Sequence, residues 1–375
     1  MRVIVIGRGV FGLAAALSLK RKGHQVVVVG QRDPGASSED ISRIIRNDYA
    51  YDTHHTSWAS EALDGWSRWN EEIGQPIFRR TGLANLTVVP LSPDSFAGAS
   101  FASLEAAERL DGVAISDLLP FVTPGRFVDG YVNSQAGWAD ASAALRHMER
   151  LCEEAGVGIV PERVARIGDG WVGLMGDGLL RADRTIVAAG AWTPRLVPET
   201  APLLTPAGQP VLYLRPRTPE RFVGVPVWAL DLERSGFYGF PLSPDGLVKV
   251  GHHGAGVTNR LEIRTVSDRV VDAFRAFFRD FVPELVTAAI DRTRVCFYCD
   301  APGGRFLIDR VPGRGSLIVA AGGSGHGFKF APVIGDLIAA VALDEEHPRR
   351  ALTAWRDPGP KGDAARAGRI GDLPR

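Results

Sequence analysis

The first thirty residues leave little choice of fold. Val3-Ile4-Val5-Ile6 is a compact β-branched strand, Gly7-Arg8-Gly9-Val10-Phe11-Gly12 a glycine turn, residues 13–22 a helix closed at Gly23, and residues 25–29 a second strand. A strand, the spacing G-x-G-x-x-G and a helix, within one βαβ unit, make a dinucleotide-binding fingerprint. Its glycines let the backbone approach a pyrophosphate, which sits on the helix N-terminus. Gly7, Gly9, Val10, Phe11 and Gly12 are therefore candidate cofactor-binding residues. The end of the second strand departs from the pattern. An acidic residue is expected there for the adenosine ribose, and the chain has Gly30-Gln31-Arg32. An Arg in that place suits a 2′-phosphate, so an NADP-dependent dehydrogenase stands as an alternative. Gln31 is the other candidate for the ribose.

A second glycine loop lies late in the chain. Leu317-Ile318-Val319-Ala320 reads as a buried strand, broken by Gly322, Gly323, Gly325 and Gly327. Pro332, with Val333, Ile334, Leu337, Ile338 and Val341, then starts a helix. Strand, glycine loop and helix N-terminus again make a place where backbone N–H groups can face an anion or an electron-rich ring. His326 and Lys329 add a titratable group and a fixed cation. Upstream, Cys296-Phe297-Tyr298 precedes the turn Pro302-Gly303-Gly304 and the strand Phe306-Leu307-Ile308-Asp309.

Cys296-Phe297-Tyr298, Phe306-Leu307-Ile308-Asp309 and Gly325-His326-Gly327-Phe328-Lys329-Phe330, in that order, resemble the monomeric sarcosine oxidase and N-methyl amino acid oxidase family. These are FAD-dependent amine oxidoreductases of the D-amino-acid-oxidase superfamily, acting on N-methyl and cyclic amino acids and Amadori compounds. Arg43-Ile44-Ile45-Arg46, with Asp48-Tyr49 behind it, and the segments Gly236–Pro241 and Lys249–His253 extend the resemblance over nearly the whole chain, sparsely between Pro90 and Gly130. The resemblance implies covalent FAD on Cys296, with Arg43 against the flavin and Arg46 on the substrate carboxylate. It implies that Tyr238 lines the substrate pocket with Tyr298, that Lys329 joins Arg46, and that Lys249 sits over the flavin to help reduce oxygen. His326 and His253 complete the implied catalytic set with Lys249 and Tyr238. The implied cofactor contacts further include Ser42, Ile44, Val164, Gly190, Trp192, Gly323, Gly325, Gly327 and Phe328.

The resemblance and the motif order give an α/β fold. A discontinuous Rossmann-type FAD-binding domain is expected at residues 1–81, 137–209 and 301–375, and a β-rich antiparallel substrate domain at 82–136 and 210–300. At 375 residues each part is large enough for its own core. Lys plus Arg and Asp plus Glu are 43 each, which gives no electrostatic case for nucleic acid or an anionic membrane. No apolar run suits a membrane helix. The strand beginning at Arg2 leaves no room for a signal peptide, and three cysteines make no disulfide framework. A cytoplasmic monomer is expected, with a small amino-acid substrate, molecular oxygen and no metal. An FAD-binding subunit without turnover is a further alternative, against which the presence of Lys249, Lys329 and His326 together argues.

Between the motifs, Trp58, Ala62, Trp66, Trp69 and Ile73 mark an amphipathic helix over 57–73. A strand is expected over 79–89, a loop over 90–100, a helix over 101–110 and a strand over 131–133. Asp140 caps a helix over 141–155 closed by Gly156, with Cys152 structural. Strands follow at 158–160, 164–167, 171–174 and 184–188, the last running into Ala189-Gly190-Ala191-Trp192. A helix at 266–282 interrupts the β-rich half, and 355–375 reads as a surface tail. By alternation Lys249 faces away from Val248 and Val250, and only one of His252 and His253 can share its side, His253 by position in the motif.

Overall fold

The computed structural model describes residues 1–356 and residue 373. Within them the chain divides into two compact units. The first contains Met1–Ser42, Asp140–Ala207 and residues 297–356; the second contains Arg43–Ala139, Gly208–Cys296 and Leu373.

The first unit is built on a six-stranded sheet. Its order is Leu307–Arg310, Leu317–Ala321, Arg184–Val187, Arg2–Ile6, Gln25–Val29 and Gly158–Val160. All pairs are parallel except the outermost, where Leu307–Arg310 runs antiparallel to Leu317–Ala321. Parallel strands must be buried on both faces, which is why Val3, Ile4, Val5, Ile186, Ile318 and Val319 are all apolar and covered. Helix Val10–Arg21 packs on helix Ile334–Leu343 so closely that a Cβ on Gly335 would lie 2.4 Å from the Ala14 carbonyl oxygen. Ser18 Oγ donates to Asp336 Oδ1 across the same contact at 2.7 Å. Helix Ala141–Glu154 begins where Asp140 accepts from the Ala143 N–H at 2.8 Å, a cap worth about 1 kcal/mol.

The second unit is built on an eight-stranded, largely antiparallel sheet. Its order is Ala289–Asp300, Thr205–Arg215, Val248–His252, Phe237–Gly239, Val227–Leu230, Leu83–Thr87, Asp129–Asn133 and Ala107–Arg109. Alternation gives this sheet two different faces. Ala84, Leu86, Leu212, Leu214, Trp228, Leu230, Phe237, Val248 and Val250 join one core with Val270, Phe274, Phe277 and Phe278 of helix Asp268–Phe281. The opposite face therefore carries Asn85, Tyr213, Ala229, Tyr238, Lys249 and Gly251.

Several expectations change on folding. Residues 43–81 belong to the second unit, because Arg43–Ile45 and Phe78–Arg79 both pair with Gly137–Ala139. The expected strand over 79–89 breaks at Gly82, whose φ of 83° leaves the extended region, and resumes as Leu83–Thr87. The helix expected over 101–110 is instead Phe96–Ser103, followed by the strand Ala107–Arg109. Ser95 Oγ caps it by accepting from the Gly98 N–H at 3.0 Å. Strand Leu179–Arg181 was not expected. The late helix starts at Ile334 rather than Pro332, after a 3-10 turn over Gly327–Phe330. Most of the tail expected from 355 lies outside the described residues. Among the described residues no helix is long and apolar enough to cross a membrane.

Candidate active site

Parallel pairing sends the carboxyl ends of the first unit's central strands to one edge of their sheet. Gly7, Gly30, the turn Gly190–Trp192 and the loop from Gly322 therefore leave from a common edge, where open α/β sheets bind ligands. Gly12 is fixed by contact rather than flexibility, since a Cβ there would lie 2.0 Å from the Gly7 carbonyl oxygen. Helix Val10–Arg21 has Gly9 as N-cap and no acidic residue in its first turn, and the neutral Ser38 hydroxyl accepts from the Val10 N–H at 3.2 Å. Its positive end thus remains suited to a phosphate.

The charges beside this turn answer the question raised by Arg32. Glu149 accepts from Arg32 at 2.5 Å and from Arg8 at 2.8 Å, and Glu39 lies 3.6 Å from Arg32. The cation that a 2′-phosphate would need is already balanced by two carboxylates. Gln31 Oε1 accepts from Arg163 Nε at 3.1 Å, which fixes the amide next to Val164 in strand Val164–Gly168.

The late glycine loop meets the fingerprint helix within the same unit. A Cβ on Gly327 would lie 3.1 Å from the Phe11 ring, and Phe11 meets Phe306 edge-on at 5.4 Å. The His326 ring stacks on Phe306 at 5.0 Å and its Nε2 lies 2.8 Å from the Gly304 carbonyl oxygen. A carbonyl only accepts, so Nε2 carries the proton and Nδ1 is the other ring nitrogen. Lys329 is 3% exposed and its Nζ donates to the His326 carbonyl at 3.2 Å. A Cβ on Gly325 would meet the Tyr298 ring at 2.3 Å, so the glycine makes room for that ring. Trp192 meets Phe297 edge-on at 6.2 Å. The structure thus gathers Phe11, Gly327, His326 and Lys329, and separately pairs Tyr298 with Gly325. Ser42 closes the unit's first segment as a buried residue.

In the second unit Lys249 is 2% exposed, with its Nζ 4.5 Å from the centre of the Phe240 ring. Tyr238 pairs with Gly251, and a Cβ on Gly251 would lie 2.6 Å from the Tyr238 ring. His252 takes the core side, edge-on to Phe237 at 4.9 Å. That leaves His253 as the histidine of the pair outside the core, its N–H bonded to the Gly236 carbonyl at 2.8 Å. Arg43 and Ile44 lie on a short strand, and Arg43 Nη2 donates to Cys296 Sγ at 3.6 Å. Arg46 lies over the rings of Tyr49 and Phe96, at 5.6 and 5.7 Å, and donates to the Asp48 carbonyl. Cys299 falls three residues beyond Cys296, on the opposite side of the strand, in the apolar core of the first unit. Burial pushes its thiol up to about 12, as it does that of Cys152.

Sequence reasoning missed a buried polar group at the root of the Arg46 segment. Asp48 is fully buried and accepts from Tyr131 Oη at 2.7 Å and from Asn133 Nδ2 at 2.9 Å. The detectable signal was three polar residues, Asn85, Tyr131 and Asn133, placed inside strands.

The glycine-lined strand edge of the first unit, with its helix N-terminus, defines a dinucleotide-binding unit. Residues 2–341 match the family model described as FAD dependent oxidoreductase, and the chain belongs to that family. It is 28% identical to N-methyl-L-tryptophan oxidase of Salmonella typhi, over 94% of this chain and 97% of that one. The same enzyme of Salmonella dublin is 28% identical, over 91% and 94% of the two chains. The fold is that of fructosyl amine:oxygen oxidoreductase (Amadoriase I) from Aspergillus fumigatus, with a TM-score of 0.83 at 24% identity, covering 99% of this chain and 93% of the other.

The first unit fits FAD. The helix N-terminus, free of acidic residues, and the closely packed Gly7 and Gly12 suit a pyrophosphate, and Arg8 Nε is buried without a partner among the described residues. The balanced Arg32 agrees with a cofactor lacking a 2′-phosphate.

Proposed function

We propose that this protein is an FAD-dependent oxidase of secondary amino acids, N-methylated or cyclic, that uses oxygen and releases an imine and hydrogen peroxide. The observation that carries this reading is Lys249, a buried cation on the same face of the sheet as Tyr238, the face that helix Asp268–Phe281 does not cover. Burying an ammonium is costly, and a fixed cation is what oxygen needs as it takes up negative charge. The names of the relatives, an N-methyl amino acid oxidase and an oxygen oxidoreductase of fructosyl amines, support an N-substituted substrate.

When bound, FAD supplies the hydride acceptor for the carbon next to nitrogen and the route by which electrons reach oxygen. The chain's own residues do the rest. Arg46 offers a guanidinium fork that can meet a carboxylate bidentately, and Lys329 adds a second cation. Tyr238 and Tyr298 bound the substrate. The cations Arg43, Arg46, Lys249 and Lys329 disfavour the ammonium form of the substrate, and only the neutral amine can give up a hydride. His326 holds the loop by donating from Nε2 to the Gly304 carbonyl.

Arg46→Ala and Lys329→Ala are each expected to lower kcat/KM for amino-acid substrates about ten- to a hundredfold, the cost of one charge-assisted hydrogen bond. Analogues with an alcohol in place of the carboxylate are expected to be poor with the wild type and little affected further. Equal losses on both substrate types would mean that the cations balance the cofactor's charge and do not bind the carboxylate.

A further inference from the structure

Asn85 lies at the outer end of a one-way chain of hydrogen bonds. Tyr131 has a single hydroxyl hydrogen, and it goes to Asp48 Oδ1 at 2.7 Å. Burial and the neighbouring Asp48 raise the Tyr131 phenol, which keeps that hydrogen in place. Towards Asn85, then, the Tyr131 oxygen can only accept, and it does so from Asn85 Nδ2 at 3.3 Å. The amide orientation follows from this direction. Asn85 Oδ1 must face away from Tyr131, and it is buried with no hydrogen-bond partner among the described residues, in a side chain only 4% exposed. A buried carbonyl oxygen left in this way is costly unless a ligand supplies a donor.

Sheet register says which ligand. Asn85 pairs with Ala229, and Ala229 pairs with Tyr238, so the three form one rung across adjacent strands. All three point to the face opposite the helix-covered core. Tyr238 stands two strands from Asn85, roughly 10 Å at the usual strand spacing, and the residue between them is alanine. Leu83, Val227 and Phe240 surround this rung with apolar surface.

We propose that Asn85 is a specificity-determining residue, whose Oδ1 accepts a hydrogen bond from an N–H or O–H on the substrate side chain. The preferred substrate is then an N-alkyl amino acid with a largely apolar side chain that carries one donor. This inference rests on the amine-oxidase reading and narrows its substrate.

The test uses near-isosteric pairs with and without the donor: N-methylserine against N-methyl-2-aminobutyrate, and N-methyltryptophan against its benzothiophene analogue, in which sulfur replaces the indole N–H. Affinity is read anaerobically by stopped flow, from the perturbation of the flavin absorbance that precedes any bleaching. In the wild type the donor-bearing member of at least one pair is expected to bind about tenfold or more tightly. In Asn85→Leu that ratio is expected to fall to near one. Should Asn85→Leu not fold, Asn85→Ala serves, because it removes the same acceptor and the ratio must also fall. A wild-type ratio near one in both pairs overturns the proposal, as does a ratio that survives either substitution. Failure of all four compounds to bleach the flavin would count against the oxidase reading alone, since binding still reports on Asn85.

Discussion

Lys249→Met is expected to slow reoxidation of the reduced enzyme by oxygen about a thousandfold, while anaerobic reduction by substrate changes far less. Methionine keeps most of the stem and its contact with Phe240 but removes the charge. One unit charge at about 4 Å in an effective dielectric near 20 is worth roughly 4 kcal/mol, which is about three decades in rate. Stopped-flow measurement of the two half-reactions separates them. Because Lys249 is 2% exposed, solvent and salt screen its charge little. Unchanged reoxidation would make Lys249 a structural residue and point to an electron acceptor other than oxygen.

The second large effect concerns attachment of the cofactor. In the wild type, acid precipitation is expected to leave the yellow chromophore on the protein, through a thioether between Cys296 and the flavin 8α-methyl. Cys296→Ala is expected to release it entirely to the supernatant. Of the three thiols, Cys152 and Cys299 are pushed up to about 12 by burial, and the thiolate is the reactive form. Cys152 is further engaged, donating to the Leu13 carbonyl at 3.5 Å. Cys296 instead lies within reach of the Arg43 guanidinium. Release by Cys299→Ala and not by Cys296→Ala would move the attachment, and free flavin in the wild type would remove it.

Both glycine loops were legible in the sequence because their signals are local. A β-branched run, glycines at fixed spacing and an apolar helix sit within about thirty residues of one another, and the structure forms each of them at nearly those positions. The direction of Lys249 was legible for the same reason, since alternation with Val248 and Val250 involves only neighbours. Helix Phe96–Ser103 was not, because FAGASFAS has no apolar stripe and its cap, Ser95, is one serine among several. Arg32 leaves a 2′-phosphate site open as an alternative in the sequence, because its neutralising partner Glu149 stands 117 residues away on a helix. The Asp48, Tyr131 and Asn85 chain was equally hidden. It forms only when strand Leu83–Thr87 pairs with Asp129–Asn133 and the Arg43–Ile45 segment is placed by Gly137–Ala139. Local pattern thus specified the elements and the motif-borne residues, while the partners that set their charge and direction came from long-range pairing.

The central claim, oxidation of a secondary amino acid by the bound flavin, is tested most directly by one anaerobic titration. The purified holoenzyme is mixed without oxygen with sarcosine, other N-methylated amino acids, proline and pipecolate, and the flavin absorbance is followed. At least one of these is expected to bleach the flavin, and admitting oxygen is expected to restore the colour with formation of hydrogen peroxide. A flavin that stays yellow with every one of them, or that bleaches only with NADPH, would contradict the account.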